Sequence, residues 1–289
     1  MKSSSHWIFI FFLVMVGLVA TIVLAVRGLD YYRTPFDLRP FRSDYSLMRP
    51  SGSYSHGLGV LGALMVIVGV AMYSARKRMV SLGNIGRLSK WLEVHIFLCL
   101  LGPVLIVYHT TFKAGGIAAI SLWTMLSVVA SGVIGRFLYV LIPRNLNGNE
   151  LTVAEIDGQI HSIGSVLRSS PVGLLVGAMV DKSFSSVERP ETLGQTVFTI
   201  IRLQRLKAQT RGGVCQIIAQ NDVPREVAKQ LEEAASSKAA MLQKSLVLTQ
   251  VERMFFYWHA IHLPFTVIMF VTLAAHVTVV MLLGYKWVF

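Results

Sequence analysis

The chain has 289 residues, 54% of them hydrophobic, and a mean hydropathy of +0.59. This composition excludes an ordinary soluble domain and is typical of a protein that crosses a membrane several times. The formal net charge is +12. Because the basic residues gather in short segments beside apolar stretches, we assign the charge to membrane topology and expect no nucleic-acid partner.

Five apolar stretches are long enough to cross a bilayer, so the sequence predicts an all-α membrane protein with five transmembrane helices. The first stretch resembles the apolar part of a signal peptide but is longer, and we interpret it as a retained anchor. The five predicted spans are residues 7–26, 57–73, 91–111, 117–140 and 255–283.

Segment 75–90 lies between two predicted spans and carries five basic residues and no acidic one. Such short basic loops are retained in the cytoplasm. We therefore predict a multi-pass protein of the bacterial inner membrane, with the N-terminus and region 142–254 in the cytoplasm and segment 27–56 outside. Five arginines in segment 27–56 oppose this orientation, and three aspartates there partly offset them.

Region 142–254 has a nearly balanced charge and predicts a helical cytoplasmic insertion between the fourth and fifth spans. Thr152 and Glu155 match a capping box. Two readings stay open: a bundle that only links two spans, and a docking platform for a redox partner. The expected organisation is residues 1–141 with four spans and the outer segment, 142–254 as the insertion, and 255–289 as the last span.

Helical patterns in the insertion cover residues 153–168, 193–208 and 224–250, with breakers at 169–171 and 212–213. The last pattern can run without a break into the fifth span. Of the two cysteines, Cys99 lies in a span and Cys215 in the insertion, so we expect no disulfide. No CxxCH motif or CxxC cluster is present, which excludes covalent c-type haem and an iron–sulfur site built by this chain alone.

Two predicted spans share one histidine spacing: His95 and His109 in the third, His262 and His276 in the fifth. Fourteen residues turn a helix to within roughly 40° of whole turns, so both histidines of a pair share one face. They are separated by about 21 Å along the axis, most of the hydrocarbon thickness. Coordinating groups in a span are candidates for function.

With five spans, the third and fifth run in the same direction. His95 is then level with His262 near the inner surface, and His109 is level with His276 nearer the outer surface. Two stacked histidine pairs are the geometry needed to hold two haems, one above the other, each with two axial imidazoles. The fold class we predict is therefore a five-helix haem-binding bundle with a helical insertion.

Other residues in or near the spans have two readings each. Gly102, midway between His95 and His109, either gives room to a porphyrin edge or is a helix-packing glycine beside Pro103. Arg136 either pairs with a haem propionate or reaches for the interface. Met269, midway in the fifth span, either has a role beside the haems or is an ordinary packing residue.

The remaining histidines are less specific. His259 is rotated by about 100° from the face of His276, so we place it near the inner haem propionates, in a quinone pocket or at the interface. His56 either lines an outer quinone site or is interfacial, and a third haem there ranks lower. His6 and His161 are expected to be structural or solvated.

The paired histidine spacing resembles the transmembrane cytochrome b architecture, as in the membrane domains of ferric reductases and NADPH oxidases and in the b subunit of cytochrome bc complexes. Segment 91–144 also resembles bacterial cytochrome b-like membrane proteins. The resemblance covers residues 50–145 and 255–285. It implies two haem b groups, with His95, His109, His262 and His276 as iron ligands.

The chain departs from these families in two ways. It lacks the flavin and nicotinamide domains of the reductases and oxidases, and it lacks the Pro-Glu-Trp-Tyr motif of bc-type subunits. We therefore expect an electron-relay subunit of a quinone-linked oxidoreductase complex, between menaquinone or ubiquinone and a partner protein. Partners of the right class are a cytoplasmic flavoprotein, an iron–sulfur protein or an outer cytochrome c. The alternatives are a reductase subunit for an external acceptor such as ferric iron, and a haem-free transporter or scaffold.

Overall fold

A computed structural model describes residues 4–82, 85–116, 118–142 and 152–283. In these ranges the chain forms helices joined by turns, with no β-strand. Short 3₁₀ helices lie at Arg39–Phe41 and Val80–Leu82. The α-helices are α1 Ser4–Arg33, α2 Tyr45–Met48, α3 Ser53–Arg78, α4 Leu88–His109, α5 Ala118–Leu141, α6 Val153–Leu167, α7 Pro171–Ser185, α8 Leu193–Gln220 and α9 Arg225–Leu282.

Five helical segments are long and apolar enough to cross a membrane, as the sequence predicts. They contain α1, α3, α4, α5 and α9. The third ends two residues earlier than predicted, at His109, because Thr110 caps the helix and Thr111 then has a φ of 52°. Residue 117, the predicted start of the fourth span, lies outside the described residues. The chain divides into two compact units, residues 1–133 with 260–289 and residues 134–259.

Side-chain contacts give the helix directions in the first unit. Phe97 lies 3.9 Å from the Cβ position of Gly17, and the Tyr32 and Tyr108 rings are 5.4 Å apart, so α1 and α4 are parallel. Ser121 donates to the carbonyl of Thr272, and Ser131, later in α5, contacts His262, earlier in α9, so α5 and α9 are antiparallel. A buried cluster from α3, α5 and α9 forms the centre of this unit, with Val66, Leu122, Met125 and Met269.

The second unit is a helical bundle that buries Ile156, Val176, Leu203 and Val251, together with neighbouring aliphatic side chains. Its helices α8 and α9 are antiparallel, because contacts at one end join Cys215 to Glu232 and at the other end join Glu191 to Gln250. The ammonium group of Lys238 is buried and lies 2.7 Å from the carboxylate of Asp181.

The capping box of Thr152 and Glu155 is confirmed at the start of α6. The predicted continuation of the last insertion helix into the fifth span is also confirmed, since α9 is unbroken from Arg225 to Leu282. The predicted break at 212–213 is wrong: α8 continues through both glycines. Met179 fills the space beside Gly213, and the next turns bury Val214 and Ile218, so packing outweighs the weak helix propensity of glycine.

Helix α7 was not predicted. Pro171, interpreted as a breaker, occupies the first turn of the helix, where its missing N–H has no intrahelical partner to lose. Ser170 is the N-cap and accepts a hydrogen bond from the backbone N–H of Gly173. The same residues that end α6 therefore begin α7.

Candidate functional site

Helices α3 and α4 pack antiparallel in a register that contains both histidines of the third span. Ser55 is opposite His109, Gly62 is opposite Gly102, and Gly69 is opposite His95. On each helix these positions are seven residues apart, which is within roughly 20° of two whole turns. One face of α3, from Ser55 to Gly69, therefore packs against the face of α4 that carries His95 and His109.

The His109 imidazole is fixed by the backbone of α3. Its Nδ1 lies 2.9 Å from the carbonyl oxygen of Ser55. A carbonyl oxygen can only accept, so Nδ1 carries the proton and Nε2 carries the lone pair. Gly59 makes room for the ring, because a Cβ there would lie 2.8 Å from Cγ of His109.

His95 repeats this arrangement at the other end of α4. Its Nδ1 lies 3.0 Å from the carbonyl oxygen of Gly69, which assigns the same tautomer. Cys99 places its sulfur 3.6 Å from the same nitrogen, and the Tyr73 ring lies 5.2 Å from the imidazole with a 30° angle between the planes.

His262 is held by α5 in place of α3. Its Nδ1 lies 2.7 Å from the hydroxyl oxygen of Ser131, and its Cε1 lies 3.8 Å from where a Cβ on Gly132 would be. Thr266 donates its hydroxyl to the His262 carbonyl one turn later. Three of the four predicted ligand histidines thus have Nδ1 engaged by a neighbouring helix.

His56 and His109 lie together, with their ring centres 6.2 Å apart. His276 is within electrostatic range of both rings. Parallel third and fifth spans predict that His109 and His276 lie at the same depth. For His95 and His262, the described contacts run to α3 and α5 respectively.

Gly102 and Met269, the midpoints of the two histidine spacings, are both buried. A Cβ on Gly102 would lie 2.7 Å from the carbonyl oxygen of Gly62 and 2.9 Å from Val66. The space in front of Gly102 is thus filled by α3, which is the helix-packing reading of this residue. Met269 belongs to the buried cluster of the first unit.

Two predicted site residues belong to the second unit. The guanidinium of Arg136 lies 5.4 Å from the centre of the Tyr139 ring. His259 directs Nδ1 to the carbonyl of Phe255, one turn earlier in α9, at 3.1 Å. The rings of Phe255 and Trp258 each lie 4.5 Å from its imidazole.

A buried arginine that the sequence did not single out lies beyond the His109 end of α4. Arg39 donates to the carbonyl oxygens of Thr34, Thr111 and Tyr32 at 2.9–3.0 Å. Its guanidinium also lies 4.1 Å from the centre of the Phe36 ring. Arg39 therefore ties the chain after α1 to the turn that follows His109.

His6 and Glu93 form a second pair that the sequence did not predict, near the His95 end of α4. The two side chains are 3.7 Å apart, and Oε2 of Glu93 is buried without a hydrogen-bond partner in the part of the chain that the structure describes. Glu93 lies two residues before His95. The sequence predicts no functional role for His6 or Glu93.

Within the described ranges, no group of three or more His, Cys, Asp or Glu side chains is arranged to hold a metal ion. Axial ligation of haem needs only two imidazoles for each iron, so the histidine pairs fall outside that kind of site. Compared with known proteins, the chain matches no protein-family model, no curated protein and no solved structure.

Proposed function

We propose that this protein is a di-haem b-type cytochrome, the membrane subunit that relays electrons within an oxidoreductase complex. His109 and His276 ligate one haem, and His95 and His262 ligate the other. The observation that carries the proposal is the hydrogen bonding of Nδ1. In both His95 and His109, the Nδ1–H group donates a hydrogen bond to a carbonyl oxygen of α3. Metal-ligating histidines typically donate the second ring N–H to such an acceptor, which fixes the ring and its tautomer.

The donor set fits haem b in its chemistry. Neutral imidazoles that keep a proton on Nδ1 present Nε2 to iron, and the hydrogen bond raises their basicity. Ser131 is the corresponding group for His262 and gives that histidine a side-chain hydroxyl in place of a carbonyl. The spacing of His95 from His109 and of His262 from His276 supports two such positions at different depths.

Haem bound through two imidazoles supplies one-electron transfer with no open coordination position for oxygen. The chain's own residues then fix the rings, exclude water and set the depth of each pair. In this proposal, a quinone exchanges electrons at one end of the bundle and a partner protein at the other. The quinone and the partner rest on the resemblance to cytochromes b, because no residue described above selects either one.

The first experiment is a reduced-minus-oxidised optical spectrum of the purified chain, with the haem-to-protein ratio measured as the pyridine haemochrome. We expect a low-spin b-type spectrum and two haems for each chain. His109→Leu should lower the ratio to one, and His95→Leu should do the same by removing the other haem. His161→Leu in α6 is the matched control and should leave the ratio at two.

Two nearby glycines of α3 test the site without replacing a ligand. Gly59→Ala places a methyl group against the His109 ring, whereas Gly57→Ala meets nothing within 4 Å. We expect Gly59→Ala to lose or broaden the spectrum of one haem and Gly57→Ala to match the wild type. A folded protein without haem would contradict the proposal and favour a transporter or scaffold.

If haem is present, the electron donor and acceptor separate the remaining alternatives. Oxidation of a menaquinol analogue that is blocked by quinone-site inhibitors supports the quinone-linked subunit. Reduction of an external ferric chelate with only a soluble donor on the other side, and no quinol, supports the reductase instead.

A further inference from the structure

A cleft of about 560 Å³ opens near the C-terminal end of α1, where α2 and the start of α3 meet that helix. Its volume is within the range of small-molecule sites, roughly 300–1,000 Å³. The cleft combines a cation from α1, two hydroxyl groups from α3 and apolar side chains from α2. The residues that line it are Arg27, Asp44, Leu47, Met48, Ser53 and Tyr54.

The charges at the cleft favour an anionic ligand. Both carboxylate oxygens of Asp44 accept hydrogen bonds from the guanidinium of Arg42, at 2.8 and 2.9 Å, so this carboxylate is already neutralised. Arg27 forms no ion pair with any side chain that the structure describes. A guanidinium keeps its charge, and its N–H groups match the oxygen atoms of a phosphate. Arg27 with two hydroxyl groups is therefore complementary to a phosphate that carries one negative charge.

Both walls of the cleft lie at the level of the lipid headgroups. The apolar stretch 7–26 of α1 rises about 30 Å, which is the hydrocarbon thickness, and Arg27 follows it directly. On the other wall, Ser55 donates its hydroxyl to the carbonyl oxygen of Met48 at 2.7 Å, so the end of α2 is level with the first turn of α3. That turn comes about 3–6 Å before Gly57, where the apolar part of α3 begins. The headgroup region is roughly 5–7 Å thick on each side of a bilayer.

An exposed apolar face of α1 leads from the cleft into the hydrocarbon region. Val23 and Val16 lie within roughly 40° of Arg27 around the helix, and both side chains are exposed. In a helix that crosses a membrane, such side chains contact acyl chains. A ligand with an anionic group at Arg27 and an apolar part along this face is a phospholipid. An anionic headgroup fits better than a zwitterionic one, because an added ammonium group would lie beside the guanidinium groups of Arg27 and Arg42.

We propose that this cleft binds the headgroup of an anionic phospholipid, in the leaflet that the C-terminal end of α1 reaches. Arg27 pairs with the phosphate, Ser53 and Tyr54 supply hydroxyl donors, and the acyl chains follow Val23 and Val16. This inference does not depend on haem. It depends on α1 crossing a membrane, for which its length and hydropathy qualify it.

Native mass spectrometry of the full chain, delipidated in detergent, measures the affinity for the first lipid added. The probes are phosphatidylglycerol and phosphatidylcholine with the same acyl chains, and phosphatidylglycerol should bind the wild type more tightly. Arg27→Gln should weaken its binding about fivefold, which is the effect of one basic residue near an anionic surface. Because the Arg27 side chain is exposed, this substitution should not disturb the fold.

Arg33→Gln is the matched control. It removes the same charge from an exposed position of the same helix, about 9 Å further along α1 and about 120° around it. The affinity for phosphatidylglycerol should stay close to the wild-type value. An equal loss in Arg27→Gln and Arg33→Gln would overturn the proposal, because it would show only a general attraction to positive charge.

Two further results would also overturn the proposal. Equal affinities of the wild type for the two lipids would exclude recognition of an anionic headgroup. Displacement of phosphatidylglycerol by an equal concentration of soluble glycerol 3-phosphate would assign the cleft to a free phosphate ester. The same spectra give the mass of any bound haem, so the proposed function is tested separately from the lipid site.

Discussion

Gly62 of α3 and Gly102 of α4 face each other where the two helices cross. A Cβ on Gly62 would lie 2.6 Å from the carbonyl oxygen of Gly102, and a Cβ on Gly102 would lie 2.7 Å from the carbonyl oxygen of Gly62. Real Cβ atoms do not approach a carbonyl so closely. The pair therefore sets the distance between the helices, and the hydrogen bonds of His95 and His109 to α3 depend on that distance.

Gly102→Ala and Gly62→Ala should each destabilise the protein. The added methyl group must push α3 and α4 apart, and overpacking of this kind costs about 1–3 kcal/mol. Thermal unfolding in detergent, followed by circular dichroism, measures the loss. Gly57→Ala is the control, since it lies in the same helix with open space around it and should leave stability equal or slightly higher. Equal melting temperatures for all three variants would show that the glycines do not set the spacing.

The sequence identified the histidine face of α4 but not the surface that meets it. The spacing of His95 and His109 is periodic and involves side chains, so it can be read from the sequence alone. Their partners are the carbonyl oxygens of Ser55 and Gly69, and a backbone oxygen leaves no trace in residue identity. The spacing of seven between Ser55, Gly62 and Gly69 was a signal, but choosing α3 as the neighbour of α4 requires the tertiary structure.

Ser131 should tune the haem that His262 ligates under the proposed function. In that state Nδ1 of His262 donates to the Ser131 hydroxyl, which makes the imidazole a more basic ligand and stabilises ferric iron. Ser131→Ala should therefore raise the midpoint potential of one haem, on the order of tens of millivolts, while haem content stays unchanged. Ser131→Thr keeps the hydroxyl and should restore the wild-type potential. A redox titration monitored optically gives both values, and an unchanged potential in Ser131→Ala would refute the tuning role.

Arg39 should be required for stability although it has no carboxylate partner among the described residues. Its guanidinium satisfies three backbone carbonyls in a buried position, and a single hydrogen bond to a charged group contributes roughly 1.5–3 kcal/mol. We expect Arg39→Gln to lower the free energy of unfolding by at least that amount. Arg39→Lys should rescue little, because an ammonium group cannot reproduce the planar fork. Arg49→Gln changes an exposed arginine nearby and should stay within about 0.5 kcal/mol of the wild type.

The insertion shows where propensity and packing disagree. Pro171 and Gly212–Gly213 were interpreted as breakers because their intrinsic preferences oppose a helix interior. Pro171 instead begins α7, and both glycines lie inside α8, where Met179 covers Gly213. A proline indicates a helix boundary, but it does not tell whether a helix ends before it or begins at it. A glycine inside a helix is stabilised there when a side chain of a neighbouring helix packs over it. The capping box at Thr152 was predictable because both of its bonds are local.

That capping box gives the insertion a defined pH response. The carboxylate of Glu155 accepts hydrogen bonds from the backbone N–H of Thr152 at 2.7 Å and from its hydroxyl at 2.9 Å. These two bonds, the backbone one most, hold the pKa of Glu155 below its ordinary value. A lowered pKa in the folded state means that the cap stabilises α6 above the unfolded pKa and that this contribution is lost as pH falls through the folded pKa. Amide hydrogen exchange of the first turn of α6, corrected for intrinsic rates, should show protection decreasing as pH falls below the ordinary glutamate pKa of roughly 4.3. Glu155→Gln keeps a hydrogen-bonding side chain that does not titrate, so its protection should be flat over the same range. A first turn that loses protection equally in both proteins would assign the acid response to other carboxylates.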